Sequence, residues 1–80
     1  MTSNTLTFEH HRPRLQRLAH KMLGSAADAE DVVQDAYLRF AGVDATNVRS
    51  VEAWLVTAVT RLALDRLRAR QVERRAYSGP

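Results

Sequence analysis

Apolar residues recur at helical spacing in three separate stretches of the chain. In the first, from about Thr7 to Leu23, one face holds Phe8, His11, Leu15, Leu18, Ala19, Met22 and Leu23, and the other holds Arg14, Arg17 and Lys21. Pro13 interrupts this stretch. It has no backbone N–H to donate, so it predicts a kink or a split into two helices. Gly24 stands where a helix C-cap belongs. The second stretch runs from about Ala26 to Ala41. Ser25 is a good N-cap, Asp28 three residues on makes a variant of the capping box, and Gly42 is the stop. Val43 to Arg49 has no periodicity and reads as a loop. Ser50 then caps a third helix with Glu52 in its first turn, reaching about Ala76. Nothing alternates as a strand does, and no repeat or low-complexity tract is present. The expectation is an all-α fold: one compact bundle of three main helices over residues 1–76, with Tyr77-Ser78-Gly79-Pro80 beginning a linker.

The second helix has more than one face to account for. At about 100° per residue, Ala29, Val32, Val33, Ala36, Tyr37 and Phe40 cluster on one side and form the core face. Leu38 lies nearly opposite, with Asp31, Gln34 and Asp35 one turn or less away. Two readings fit: an anchor for a basic protein partner, or one of the single exposed leucines that most proteins carry. On the third helix Val51, Trp54, Leu55, Ala58, Leu62 and Ala69 form a core face, and Thr57, Arg61, Leu64, Arg68 and Arg75 a separate stripe. Arginines at that spacing follow a phosphate backbone and hold DNA in register without reading its sequence. Arg61 precedes Asp65 by one turn, so an intrahelical pair is expected; at a few tenths of a kcal/mol it would orient more than stabilise. Trp54, Tyr37 and Phe40 all project onto core faces, so Trp54 reads as mainly structural. Any capture of an unpaired base then falls to the Val43–Arg49 loop, where Asn47 and Arg49 offer donors and Asp44 and Thr46 acceptors. The plainer alternative is an ordinary solvated loop.

Length and charge narrow the classes. Eighty residues allow one domain. A domain of this size buries only about 60% of its unfolded surface and is marginally stable. With no cysteine, neither a disulfide nor a thiolate metal site supports it. No apolar run approaches the roughly 20 residues of a membrane span, and Met1-Thr2-Ser3-Asn4 does not begin a signal peptide. A cytoplasmic, monomeric protein is expected. The net charge is only +3, but it is unevenly placed. Asp28, Glu30, Asp31 and Asp35 fall together with no base among them, whereas Arg61 to Arg75 carries six arginines against Asp65 and Glu73. One face attracts phosphate and another repels it. All but one of the twelve basic residues are arginine, the residue suited to bidentate phosphate contacts. A merely solvated arginine-rich helix would look the same from charge alone.

Catalytic chemistry has no foothold in the sequence. His10, His11 and His20 make no convincing metal site, because adjacent helical histidines point about 100° apart; His11 reads as a packed histidine. No serine or cysteine has a nearby base in a recognisable pattern, and there is no glycine-rich phosphate loop. No cofactor and no enzymatic activity are expected.

Two stretches resemble a known family. Asp28-Ala29-Glu30-Asp31-Val32-Val33-Gln34-Asp35-Ala36-Tyr37-Leu38-Arg39-Phe40 resembles the region 2.2 helix of sigma-70 family factors, especially the extracytoplasmic-function class. Ala53-Trp54-Leu55, followed by Arg61-Leu62-Ala63-Leu64-Asp65-Arg66-Leu67-Arg68, resembles their regions 2.3 and 2.4. With Leu15 to Gly24 the likeness covers nearly the whole chain. Each motif alone is moderately specific; their order and spacing make the combination strong. Where the class often has Arg-Asn before Leu-Ala-Leu-Asp, this chain has Thr60-Arg61. That departure, with the ending Arg74-Arg75-Ala76-Tyr77-Ser78-Gly79-Pro80, resembles the subgroup carrying a SnoaL-like C-terminal domain, and implies that region 4 lies beyond residue 80.

The resemblance implies a role for each surface. Asp31, Gln34, Asp35, Leu38 and Arg39 would dock on the clamp-helix coiled coil of the RNA polymerase β′ subunit. The loop from Asp44 to Ser50, with Asn47 and Arg49 foremost, would capture an unpaired base of the promoter −10 element from the non-template strand. Thr57, Arg61 and Arg68 would hold the upstream duplex edge and backbone. An anti-sigma factor, or the protein's own C-terminal domain, is a further implied partner. Two other functions stay in view: a stand-alone helix-turn-helix regulator that reads duplex DNA, and a helical protein-binding adaptor whose arginines only solubilise it.

Overall fold

The computed structural model of the protein describes residues 3–77, and among them three long helices form the bundle. They are α1 (Ser3–Leu23), α2 (Ala26–Ala41) and α3 (Val51–Tyr77), with a single 3-10 turn, Ala45–Asn47, between α2 and α3. The α2 bounds are those its periodicity predicts. The loop is more ordered than expected, since the 3-10 turn occupies its middle.

Helix α1 departs from expectation at two points. It starts at Ser3, ahead of the first apolar repeat. The extra turn is held from outside: Asn4 Nδ2 donates to the backbone oxygens of Phe40 (3.0 Å) and Val43 (2.8 Å), and Thr5 Oγ1 shares a 3.0 Å hydrogen bond with the Tyr37 hydroxyl. These bonds join residues more than thirty positions apart, beyond what local periodicity reports. Helix α1 also runs unbroken through Pro13 instead of splitting there. Pro13 lies on the exposed side of the helix, where water can take the carbonyl that loses its partner.

The junctions follow from local chemistry. Gly24 ends α1 in a left-handed conformation (φ 68°), with its N–H on His20 O at 2.8 Å. Any side chain there would add strain. Ser25 caps α2 by accepting from Asp28 N at 3.3 Å. The other half of the capping box is missing, because the Asp28 carboxylate turns to α3. It pairs with Arg66 (3.4 Å) and with Arg70. Arg70 also donates to Leu23 O at 3.0 Å, filling a carbonyl that the end of α1 leaves open. One aspartate and two arginines thus fasten the second half of α3 to the α1–α2 junction.

Between the helices lies an apolar core of Phe8, Leu15, Ala19 and Leu23 from α1, Ala29, Val32, Val33, Ala36 and Phe40 from α2, and Leu55, Val59 and Ala63 from α3. On α3 the inward face is rotated from the expected one. Val59 and Ala63 are fully buried, Val51, Trp54, Ala58 and Leu62 are half-buried, and Ala69 is exposed. Small residues let three helices approach closely, whereas an indole fits only at the seam. Trp54 accordingly packs its ring against Phe40 (5.5 Å between centroids), continuing a line of rings from Tyr37 through Phe8 to Phe40. His11 is half-buried beside His10 and takes no place in the core.

Truncating inside and outside positions separates packing from surface. Leu55→Ala should lower unfolding free energy by about 2–5 kcal/mol, and Leu38→Ala by no more than about 0.5 kcal/mol, in chemical denaturation. The reverse order would exchange the core and solvent faces. Asn4→Ala, which strips a donor from two backbone oxygens, should cost about 1 kcal/mol in the same measurement.

Candidate nucleic-acid and protein interfaces

The face of α2 opposite the core is a surface, as its periodicity predicts. Leu38 is 61% exposed, and Asp31, Gln34, Asp35 and Arg39 are exposed around it. Asp31 lies 3.4 Å from Arg66 of α3. On one flank, Asp31 and Gln34 share a groove of about 600 Å³ with Glu30 and with Arg12, Pro13 and Gln16 of α1. An exposed apolar side chain ringed by carboxylates favours a surface of opposite charge.

The loop that follows is braced from within. The Asp44 carboxylate accepts from Thr46 N (3.1 Å), Thr46 Oγ1 (2.6 Å) and Asn47 Nδ2 (3.1 Å). The Thr46 bonds hold its pKa below the usual carboxylate value. Asp44 and Asn47 therefore shape the turn, with one of the Asn47 amide protons committed to it, and Arg49 and Ser50 remain exposed beyond. Ser50 also caps α3, accepting from Ala53 N at 3.2 Å.

Two grooves meet at Trp54. One, of about 490 Å³, is lined by Asn47, Val48, Arg49, Ser50, Ala53 and Trp54. The other, of about 280 Å³, is lined by Arg39, Trp54, Thr57, Ala58 and Arg61. The indole is a shared wall: one part packs on Phe40 and the rest meets both recesses. Its sequence periodicity shows the first role and hides the second. Of the residues expected at DNA, Asn47, Arg49 and Ser50 thus fall in one groove and Thr57 and Arg61 in the other, while Arg68 and Asp44 line neither. Arg39, expected on the protein-facing side, sits at the border of both surfaces.

The arginines of α3 divide by direction. Arg66 and Arg70 point into the bundle and hold Asp28. Arg61 and Arg68 lie on the exposed stripe with Thr57 and with Leu64, itself 38% exposed. The expected Arg61–Asp65 pair is replaced by Arg68–Asp65, 3.3 Å apart and mostly exposed, and Arg61 has no acidic partner among the described residues. Among the described residues no group of three histidines or acids is placed to hold a metal ion, and no helix is long and apolar enough to cross a membrane.

Comparison with known proteins gives this arrangement a lineage. Residues 7–73 match the family described as Sigma-70 region 2. The chain is 44% identical over 72 residues to the ECF RNA polymerase sigma factor SigJ of Mycobacterium tuberculosis, covering 90% of this chain and 23% of that protein. It is 38% identical over 61 residues to SigE of Mycolicibacterium smegmatis, covering 75% of the chain and 24% of the relative. It is 30% identical over 63 residues to SigW of Bacillus subtilis, covering 76% and 34%. The chain thus spans a quarter to a third of the length of these relatives. No solved structure matches it. With the family match running from α1 deep into α3, the chain belongs to the sigma-70 region 2 family.

Proposed function

We propose that this domain belongs to an extracytoplasmic-function transcription initiation factor, and that it acts by binding, without catalysis of its own. Its outer α2 face, Asp31, Gln34, Asp35 and Leu38, docks on the β′ clamp helices of RNA polymerase, with Arg39 at the edge of that face. Its 44–50 loop takes a displaced base of the non-template −10 element, with Thr57, Arg61 and Arg68 on the adjoining backbone. The observation that carries this reading is the pairing of Leu38, exposed among acids, with a braced loop groove on the same end of the bundle. An extruded base costs a few kcal/mol in unstacking, which the polymerase contacts help to offset. The domain alone then binds DNA weakly and with strong salt dependence.

A helix-turn-helix regulator fits less well. That motif joins its helices by a turn of roughly 3–4 residues. Here residues 42–50 separate α2 from α3, with their own 3-10 turn and a groove. A pure adaptor leaves unexplained why the loop groove and the exposed arginine stripe adjoin the same tryptophan.

Two measurements test the proposal. Retention on immobilised β′ clamp helices should fall sharply for Leu38→Ala and Asp35→Arg; full retention of both variants would remove this surface from the interface. In complex with core polymerase, the domain should prefer a single-stranded non-template −10 oligonucleotide to its duplex. Arg61→Ala and Arg68→Ala should weaken binding across sequences, each lowering the salt slope by about 0.7 on the single strand. Stronger duplex binding without polymerase would favour the regulator.

A further inference from the structure

We infer that Arg39 binds nucleic acid, and that with Arg61 it clamps one backbone phosphate in the groove beside Trp54. The inference rests on the reading above, but moves Arg39 from the protein-facing side to the DNA side.

Three observations lead to it. Arg39 at the end of α2 and Arg61 on α3 line one groove, with Trp54, Thr57 and Ala58 between them. Neither guanidinium has an acidic partner among the described residues, whereas Arg12, Arg14, Arg66, Arg68 and Arg70 each pair with a carboxylate. Asp35, one turn before Arg39 and at the usual spacing for a helical ion pair, does not take it either. Two unneutralised guanidiniums facing one recess repel each other, and an anion between them relieves that repulsion.

The lining identifies the anion. Guanidiniums suit the bidentate geometry of a phosphate, and the Thr57 hydroxyl adds a neutral donor. An aromatic wall favours an anion that carries a base, because bases stack on indoles without sequence preference. The groove shares that wall with the loop groove, so a phosphate held here lies next to a nucleotide held there. Single-stranded DNA supplies both on one strand. Arg39 directly follows Leu38, so the polymerase-facing surface ends where the nucleotide path begins.

The test titrates a labelled single-stranded non-template oligonucleotide with the 80-residue chain, alone and on core polymerase, at several salt concentrations. Arg39→Ala should weaken binding and flatten the slope of log K against log salt by about 0.7, the value for one phosphate contact on single strands. Arg39→Lys should keep most of the slope, and Arg39→Ala should stay on the β′ clamp helices. An unchanged slope in Arg39→Ala, or loss of clamp-helix retention in its place, would overturn the assignment while leaving the broader proposal standing. No oligonucleotide binding by the unmodified chain, even on core polymerase, would overturn both.

Discussion

The inner stripe of α2 is the contact on which the rest of the domain depends. Ala29, Val32, Val33, Ala36 and Phe40 are withdrawn from water between α1 and α3. Sixteen residues of helix cannot bury one continuous stripe without turning the opposite one outward. Packing therefore dictates that Asp31, Gln34, Asp35 and Leu38 face solvent. The same helix gives the fold both its centre and its acid-ringed, leucine-bearing outer surface.

Charge is partitioned with equal consequence. Asp28 draws Arg66 and Arg70 inward and ties α3 to the α1–α2 junction. These partly sheltered pairs help fix the direction of a helix whose last turns have little apolar contact. An arginine held in this way is withdrawn from any phosphate. What distinguishes the structural arginines from Arg61 is thus the carboxylate opposite, on another helix, and not their own position in the charge run.

Sequence periodicity was enough to place all three helices, the bounds of α2, the caps at Ser25 and Ser50, and the exposure of Leu38. It does not reach contacts between residues distant in the chain. Asn4 and Thr5 extend α1 because α2 offers them partners, and nothing near them in the chain says so. Pro13 breaks a helix on local grounds, yet an exposed carbonyl tolerates its missing N–H. Periodicity alone puts Val51, Trp54, Leu55, Ala58, Leu62 and Ala69 on the inner face of α3, whereas close helix packing selects Val59 and Ala63. The grooves were illegible for a related reason: each is assembled from residues of different elements, and Trp54 has both a packed and an open side. The interior of the loop was half legible. The types of Asp44 and Asn47 show that they are polar, but only the folded turn makes them partners of one another.

Trp54 is the single tryptophan of the chain. One part of its ring system rests on Phe40 and the remainder borders both grooves, so core and grooves share one chromophore. Its emission therefore reports the Phe40 contact, lost as the bundle melts, separately from any change of polarity or quenching in the two grooves while the bundle stays folded.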